Sequence, residues 1–344
     1  MTMTRKKRAW LSVILFIVVF AGLLVTATFT DLDVSHTLTE KALANHTYLT
    51  NDSVFGVALE AVGSSPLYLA LAFSFSVLFW YCIRKQSLSA PLKTLFGGAM
   101  MGCAFISNDL LVGDAMGYIE EHLTGEFGSF IEHDSLKTPL WLTAIVVLTA
   151  CLITILGLLA VRVFNDQQIE ALFTVAIATI AFIAVSLILV ELIKKPVGRI
   201  RYRAMNVAEA NPALAETYGF SRFARWYERN GQWISKDEMM NLFGTTDALK
   251  SFPSGHTRAA GAAYMLPMLN DALHIKNRGV RALLWVCPVV FTGLVAVSRI
   301  IVGAHFFSDV LVGGTIAFVC MILAREIFVC KFANVKAMFG KDAA

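Results

Sequence analysis

The sequence predicts an all-α fold: a polytopic membrane bundle of about eight helices with a long extracytoplasmic insertion. Three observations carry that reading. Apolar residues fill 57% of the 344 positions and charged residues only 16%, against roughly a quarter charged in an average soluble domain. The mean hydropathy is +0.65. The apolar residues come in repeated runs long enough to cross roughly 30 Å of hydrocarbon, and Lys and Arg gather at the run ends that share one side.

Eight spans are predicted: Trp10–Phe29, Pro66–Ile83, Leu92–Val112, Leu140–Val163, Ala171–Ile193, His256–Leu273, Ala282–Val297 and Val310–Cys330. The first follows Arg5-Lys6-Lys7-Arg8, as a signal peptide would. It is longer than a usual signal core and no A-x-A site closes it, so an uncleaved helix is expected. The third ends on Ser107-Asn108-Asp109, and the sixth is short and holds Arg258 and Pro267. The basic start, Arg84-Lys85 with Lys93, the loop with Lys276, Arg278 and Arg281, and the Lys-bearing tail all fall on one side, the cytoplasm by the positive-inside rule. The opposite loops are acidic, with Glu120, Glu121, Glu126, Glu132 and Asp134. One segment breaks the pattern: 194–255 is basic yet lands outside, as long loops do whatever their charge.

In domain terms, 1–170 are accessory N-terminal helices, 171–330 a core with an insertion at 205–250, and 331–344 a cytoplasmic tail. All six cysteines (Cys82, Cys103, Cys151, Cys287, Cys320, Cys330) lie in or beside apolar spans without zinc-like spacing, so neither a disulfide framework nor a metal site is expected. The bases sit at span ends rather than along one soluble face, which gives no nucleic-acid footprint.

Three polar clusters emerge on the extracytoplasmic side. The first closes the fifth span: five cations stand in ten residues from Lys194 to Arg203, with Pro196 and Gly198 ending the helix. Such a set suits an anion, and it also suits an interfacial anchor, in which Lys195, Arg199 and Arg203 are solvated. The second is Lys250-Ser-Phe-Pro-Ser-Gly-His-Thr-Arg258. Its turn presents backbone N–H groups at a helix start, a natural phosphate cradle, with a hydroxyl from Ser254 and an imidazole from His256; the plainer reading of Ser254 is an N-cap. Arg258 either tunes His256 or snorkels. The third runs from Ser298 to Asp309. His305 and Asp309 are four apart and share a helix face, so the carboxylate can hold one ring nitrogen and leave the other as a nucleophile. Together the clusters meet the needs of phosphoryl transfer: cations for oxygens, a proton donor for the leaving group, an oriented nucleophile.

These residues resemble the signature of the type 2 phosphatidic acid phosphatase superfamily, K-x6-R-P, then P-S-G-H, then S-R-x5-H-x3-D. Here stand Lys194-x6-Arg201, Pro253-Ser254-Gly255-His256 and Ser298-Arg299-x5-His305-x3-Asp309, with Tyr202 where the family usually has proline. The resemblance covers about residues 171–330. It implies that His305 attacks phosphorus, Asp309 orients it, and His256 protonates the leaving oxygen and then activates water. It also implies that Lys194, Arg201, Arg299, Ser254 and the Gly255 N–H hold the phosphoryl oxygens, with no metal and no other cofactor.

The expected activity is hydrolysis of a phosphomonoester or pyrophosphate of a lipid, of the phosphatidic acid, diacylglycerol pyrophosphate or undecaprenyl pyrophosphate class. A lipid phosphotransferase would use the same first half-reaction. A protein of another class, binding anionic lipid without turnover or transporting it, fits the basic pocket but gives no reason for the histidines. The expected location is a bacterial plasma membrane; Asn45-His46-Thr47 and Asn51-Asp52-Ser53 are sequons relevant only in a eukaryotic secretory membrane. The aromatic and basic mix of the insertion (Phe220, Phe223, Trp226, Tyr227 and Trp233 with Arg222, Arg225 and Arg229) suits a segment lying on the headgroups, as a lid or an anchor.

Overall fold

The computed structural model describes residues 5–39, 53–124, 140–210, 216–220, 222–228, 234–243 and 245–339. Glu126, Glu132, Asp134, Asn45, Asn51, Arg229 and Trp233 lie outside them. The described elements are helices: α1 (Arg5–Thr39), α2 (Val54–Val62), α3 (Ser65–Arg84), α4 (Ala90–Thr124), α5 (Leu140–Arg162), α6 (Asp166–Val197), α7 (Tyr202–Ala210), α8 (Lys236–Phe243), α9 (Gly255–Ala260), α10 (Met265–Leu273), α11 (Arg278–Ile301), α12 (Phe307–Ala324) and α13 (Ala333–Phe339).

Seven helical stretches among the described residues are long and apolar enough to cross a membrane: 6–39, 54–84, 90–119, 140–162, 166–209, 278–301 and 307–329. The chain is a multi-pass membrane protein. Side chains that a soluble core would hide stay open on the outer faces, among them Ile14 and Val18 of α1, Leu148 and Leu152 of α5, Ile188 and Leu192 of α6, and Val286 and Val290 of α11. A band of this kind is stable only against hydrocarbon.

The sixth predicted span is a broken helix, α9 and α10 joined by a 3-10 turn at Gly261–Tyr264. It still runs the depth of the bundle. Its first residues lie beside Lys194 at the end of α6, and Leu269 and Leu273 pack against Ile169 and Leu172 at the start of α6. Ala262, Tyr264, Met265 and Met268 are buried with Val175, Ala178 and Phe182 of α6 and Ala317 and Met321 of α12. The third span also differs from expectation. The helix passes through Ser107-Asn108-Asp109 because the polar groups find partners: Ser107 donates to Cys103 O at 2.8 Å, and Asn108 Nδ2 donates to Thr154 Oγ1 of α5 at 2.9 Å. A polar side chain satisfied by a neighbouring helix does not have to mark a helix end.

The bundle has two unlike ends. At one end Arg84 reaches Asp166 at 3.2 Å, Arg325 reaches Asp271 at 2.6 Å, and the Trp10 ring meets Phe339. The other end holds the finish of α1, α4, α6 and α11 and the start of α9 and α12. The insertion folds over this second end with a core of its own, in which Ile200, Ala204, Met205, Phe220, Ile234, Met239, Phe243 and Ala248 pack around Phe306. Among the described residues, three of its aromatic side chains, Phe220, Phe223 and Trp226, turn inward rather than lying on headgroups. Phe220 is buried, Phe223 packs edge-on against Phe306, and Trp226 stacks on Phe252 while donating to Thr28 Oγ1 of α1 at 2.9 Å. Tyr227, Arg222 and Arg225 are the exposed part.

Candidate active site

Each motif is fixed by backbone before any side chain reaches the site. Helix α6 stops at Gly198, whose N–H returns to Lys194 O, and the chain then runs extended beside residues 248–251. Arg201 N–H donates to Ala248 O at 2.9 Å and Ser251 N–H to Arg199 O at 3.0 Å. Arg203 N–H donates to Gly303 O at 2.9 Å, which ties the first cluster to the third. Tyr202 opens α7, a position that tolerates proline and other residues alike; its ring packs edge-on against Phe306.

The turn before α9 is clamped by α12. Ser254 N–H donates to Asp309 O at 3.0 Å. A Cβ on Gly313 would stand 2.4 Å from Ser254 O, so this approach requires glycine. The Ser254 hydroxyl is the N-cap of α9, meeting Thr257 N at 3.3 Å and Thr257 Oγ1 at 3.0 Å. Gly255 opens the helix, with Lys194 Nζ beside it.

Beyond α11 the chain turns at Gly303, whose φ of 67° is left-handed, where glycine carries no steric penalty. That turn removes His305 from the helix. His305 stands in the loop, and Asp309 is the third residue of α12, so the shared helix face expected from their spacing does not exist. Their contact changes with it. His305 Nδ1 lies 2.6 Å from the Ser251 carbonyl but 3.8 Å from Asp309 Oδ2, too long for a hydrogen bond. A carbonyl can only accept, so Nδ1 carries the proton and Nε2 the lone pair. Asp309 acts one bond further back: its Oδ2 accepts the Ser251 hydroxyl and, at 2.8 Å, the Phe306 N–H.

The two histidines and three cations converge. His256 feels the charges of Arg299, His305, Arg201 and Lys194, and His305 those of Arg201, Arg299 and Lys194. Burial holds the His305 imidazole well below the ordinary histidine range, and the three cations push it the same way, while its bond to Ser251 opposes them. The side chain therefore stays neutral. The Tyr118 ring of α4 meets the His256 ring edge-on at 5.4 Å.

The arginines are held by carboxylates on one side and leave other N–H groups open. Arg299 donates to Glu60 of α2 at 2.6 Å, and Arg201 pairs with Asp247 at 2.7 Å. Among the described residues, Arg299 Nε and Nη1, Arg201 Nε and His256 Nε2 are buried without a hydrogen-bond partner. Buried donors are nearly always paired, so these orphans leave hydrogen-bonding capacity open around the two imidazoles. Arg258 is buried near Lys194 and Tyr68 rather than snorkelling.

Four residues outside the expected set pack against the cluster: Arg199, Arg203, Asp31 and Glu60. Arg199 and Arg203, read from sequence as solvated, are buried, whereas Lys195 is exposed. Arg199 pairs with Asp309 at 2.6 Å and with Asp31 of α1 at 3.0 Å; Arg203 lies 3.9 Å from both Glu60 and Asp247. Asp31 and Glu60 come from the part of the chain taken as accessory. Asp31 stands two residues past the first predicted span, on a helix that runs on to Thr39, so the sequence offered no clear signal for it.

The PAP2 superfamily model matches residues 172–332. Two proteins of Dictyostelium discoideum, each described as a PA-phosphatase related-family protein, are similar. One is 34% identical over 100 residues, 27% of this chain and 35% of that protein. The other is 28% identical over 172 residues, 46% of each. The chain thus spans less than half the length of these curated relatives. No solved structure matches the chain. The stretch that the PAP2 superfamily model matches, residues 172–332, carries both histidines and the three cations.

Proposed function

We infer that the protein is a membrane lipid phosphatase that removes phosphate from a phosphomonoester or pyrophosphate headgroup through a phosphohistidine. The observation that carries this is the convergence of a neutral, oriented imidazole, a second imidazole and buried arginines with unpartnered donors in one cluster. His305 Nε2 attacks phosphorus, the bond from phosphorus to the lipid oxygen breaks, and His256 gives that oxygen its proton. Water then attacks phosphorus, His256 takes its proton, and the N–P bond breaks to release inorganic phosphate. Lys194, Arg201 and Arg299 with the Gly255 N–H neutralise the phosphoryl oxygens, the electrostatic share that dominates such transfers. Ser254 contributes by capping the helix that presents His256.

The basic end of the bundle faces the cytoplasm by the positive-inside rule, which puts the cluster on the extracytoplasmic side and lets a lipid arrive from the bilayer. The test is phosphate release by purified protein in EDTA from phosphatidic acid, diacylglycerol pyrophosphate and undecaprenyl pyrophosphate. The expected result is release from at least one, and loss of about 10⁴-fold or more in His305→Ala. Activity that survives in His305→Ala rejects the nucleophile.

A further inference from the structure

A second set of buried charges is joined to His305 through Asp309 and Ser251. Arg199 is 0% exposed and donates to four oxygens: Ala224 O at 2.9 Å, Ser308 Oγ at 2.8 Å, Asp309 Oδ1 at 2.6 Å and Asp31 Oδ2 at 3.0 Å. The Phe306 ring covers its guanidinium at 4.1 Å, with Phe223 at 5.4 Å. Asp31 is 1% exposed. Its other oxygen accepts the Ser308 N–H at 2.8 Å, and the Ser308 hydroxyl meets its Oδ2. One guanidinium thus stands between two carboxylates from opposite ends of the sequence.

We propose that Asp31 is a positioning residue for the reaction at His305: through Arg199 and Ser308 it fixes Asp309, which fixes Ser251 and so the histidine ring. The inference rests on the phosphatase reading above and adds to it a residue outside the matched unit of 172–332. The bond path is continuous. Asp31 holds Arg199 and the first turn of α12; Arg199 holds Asp309 Oδ1; Asp309 Oδ2 holds the Ser251 hydroxyl; and the Ser251 carbonyl holds His305 Nδ1.

Charge gives the arrangement a purpose beyond folding. A buried ion pair seldom stabilises a protein more than apolar packing of the same volume does, so stability alone supplies no reason for two carboxylates here. Arg199 stands against both carboxylates, so Asp31 shares with Asp309 the one guanidinium that faces them. When His305 Nε2 bonds to phosphorus with Nδ1 still protonated, the ring gains positive charge. Carboxylate charge held behind Ser251 then favours the phosphoenzyme over the resting state.

Full-length wild type, Asp31→Asn, Ser308→Ala and His305→Ala are to be compared in detergent below their melting midpoints, reading kcat, KM and the rapid-quench yield of phosphoenzyme. Asp31→Asn keeps the shape and removes the charge. The expected result is a fall in kcat of about 10- to 100-fold, as for other outer partners of a reacting group, with KM unchanged and a smaller phosphoenzyme burst. Ser308→Ala, with every charge retained, is expected to lower kcat less and also leave KM alone. Wild-type kcat in Asp31→Asn, or a change in KM alone, overturns the proposal; if that variant does not fold, wild-type kcat in Ser308→Ala does so. Should wild type release no phosphate, the phosphatase reading fails separately. Orthovanadate binding then decides the inference: weaker binding to folded Asp31→Asn supports it, and equal binding overturns it.

Discussion

The two halves of the chain bring opposite chemistry to one site. The C-terminal half supplies every cation and imidazole, Lys194, Arg199, Arg201, Arg203, His256, Arg299 and His305, with two carboxylates of its own, Asp247 and Asp309. The N-terminal half supplies carboxylates, Asp31 from α1 and Glu60 from α2, each against a buried arginine. Cations crowded at one end of a bundle repel one another and drift unless fixed counter-charges hold them. A counter-charge that sat in the middle of the cluster would fill the anion's place. Glu60 instead takes one edge of Arg299 and Asp31 takes the far side of Arg199, and the open donors face elsewhere. Splitting the charges between separate helices lets packing, rather than local sequence, set their distances.

The largest effect belongs to the C-terminal half. His256→Ala is expected to lower kcat by about 10²–10⁴-fold, the usual worth of a positioned acid, and to leave less product per phosphoenzyme in a burst assay; a wild-type rate would mean the second imidazole takes no part. Glu60→Ala probes the other half. Removing the carboxylate frees Arg299 to swing, and kcat/KM for phosphatidic acid should fall by about 10- to 100-fold, the range for a hydrogen bond to a charged group. A rise in kcat/KM would recast Glu60 as a competitor of the phosphate.

The pH profile gives a smaller effect with a definite sign. An ordinary imidazole nucleophile loses about tenfold in its neutral form between pH 7 and pH 5.5. His305, held below that range by burial and the three cations, should cost kcat less over the same window than an ordinary imidazole would. A tenfold loss that His256→Ala does not alter would show that the cations do not act on His305. The least effect is expected at Lys195, exposed beside the partly buried Lys194: Lys195→Ala should keep kcat/KM within about twofold.

Much of this architecture could be read before any coordinates. Apolar runs of about twenty residues can be satisfied in a bilayer only as helices, so composition and run length lead straight to a polytopic bundle. The three motifs keep their order and internal spacing, which was enough to single out His256, His305, Lys194, Arg201 and Arg299 as one set. Local reasoning failed where a turn or a partner decided the outcome. The four-residue spacing of His305 and Asp309 suggested a helix face; the left-handed turn at Gly303 put the histidine in a loop and handed its ring nitrogen to Ser251. Arg199 and Arg203 looked like interfacial cations because nothing near them in sequence neutralises them. Their partners are Asp31, Glu60, Asp247 and Asp309, brought together by packing.

The sequence by itself determined the class of fold, the number of crossings to within one, and which polar residues stand in the three motifs, because these follow from residue type and short spacings. Only the tertiary structure decided which charges touch. A buried ion must be paired wherever its partner lies along the chain, and for Arg199 that partner stands 168 residues away, on the first helix.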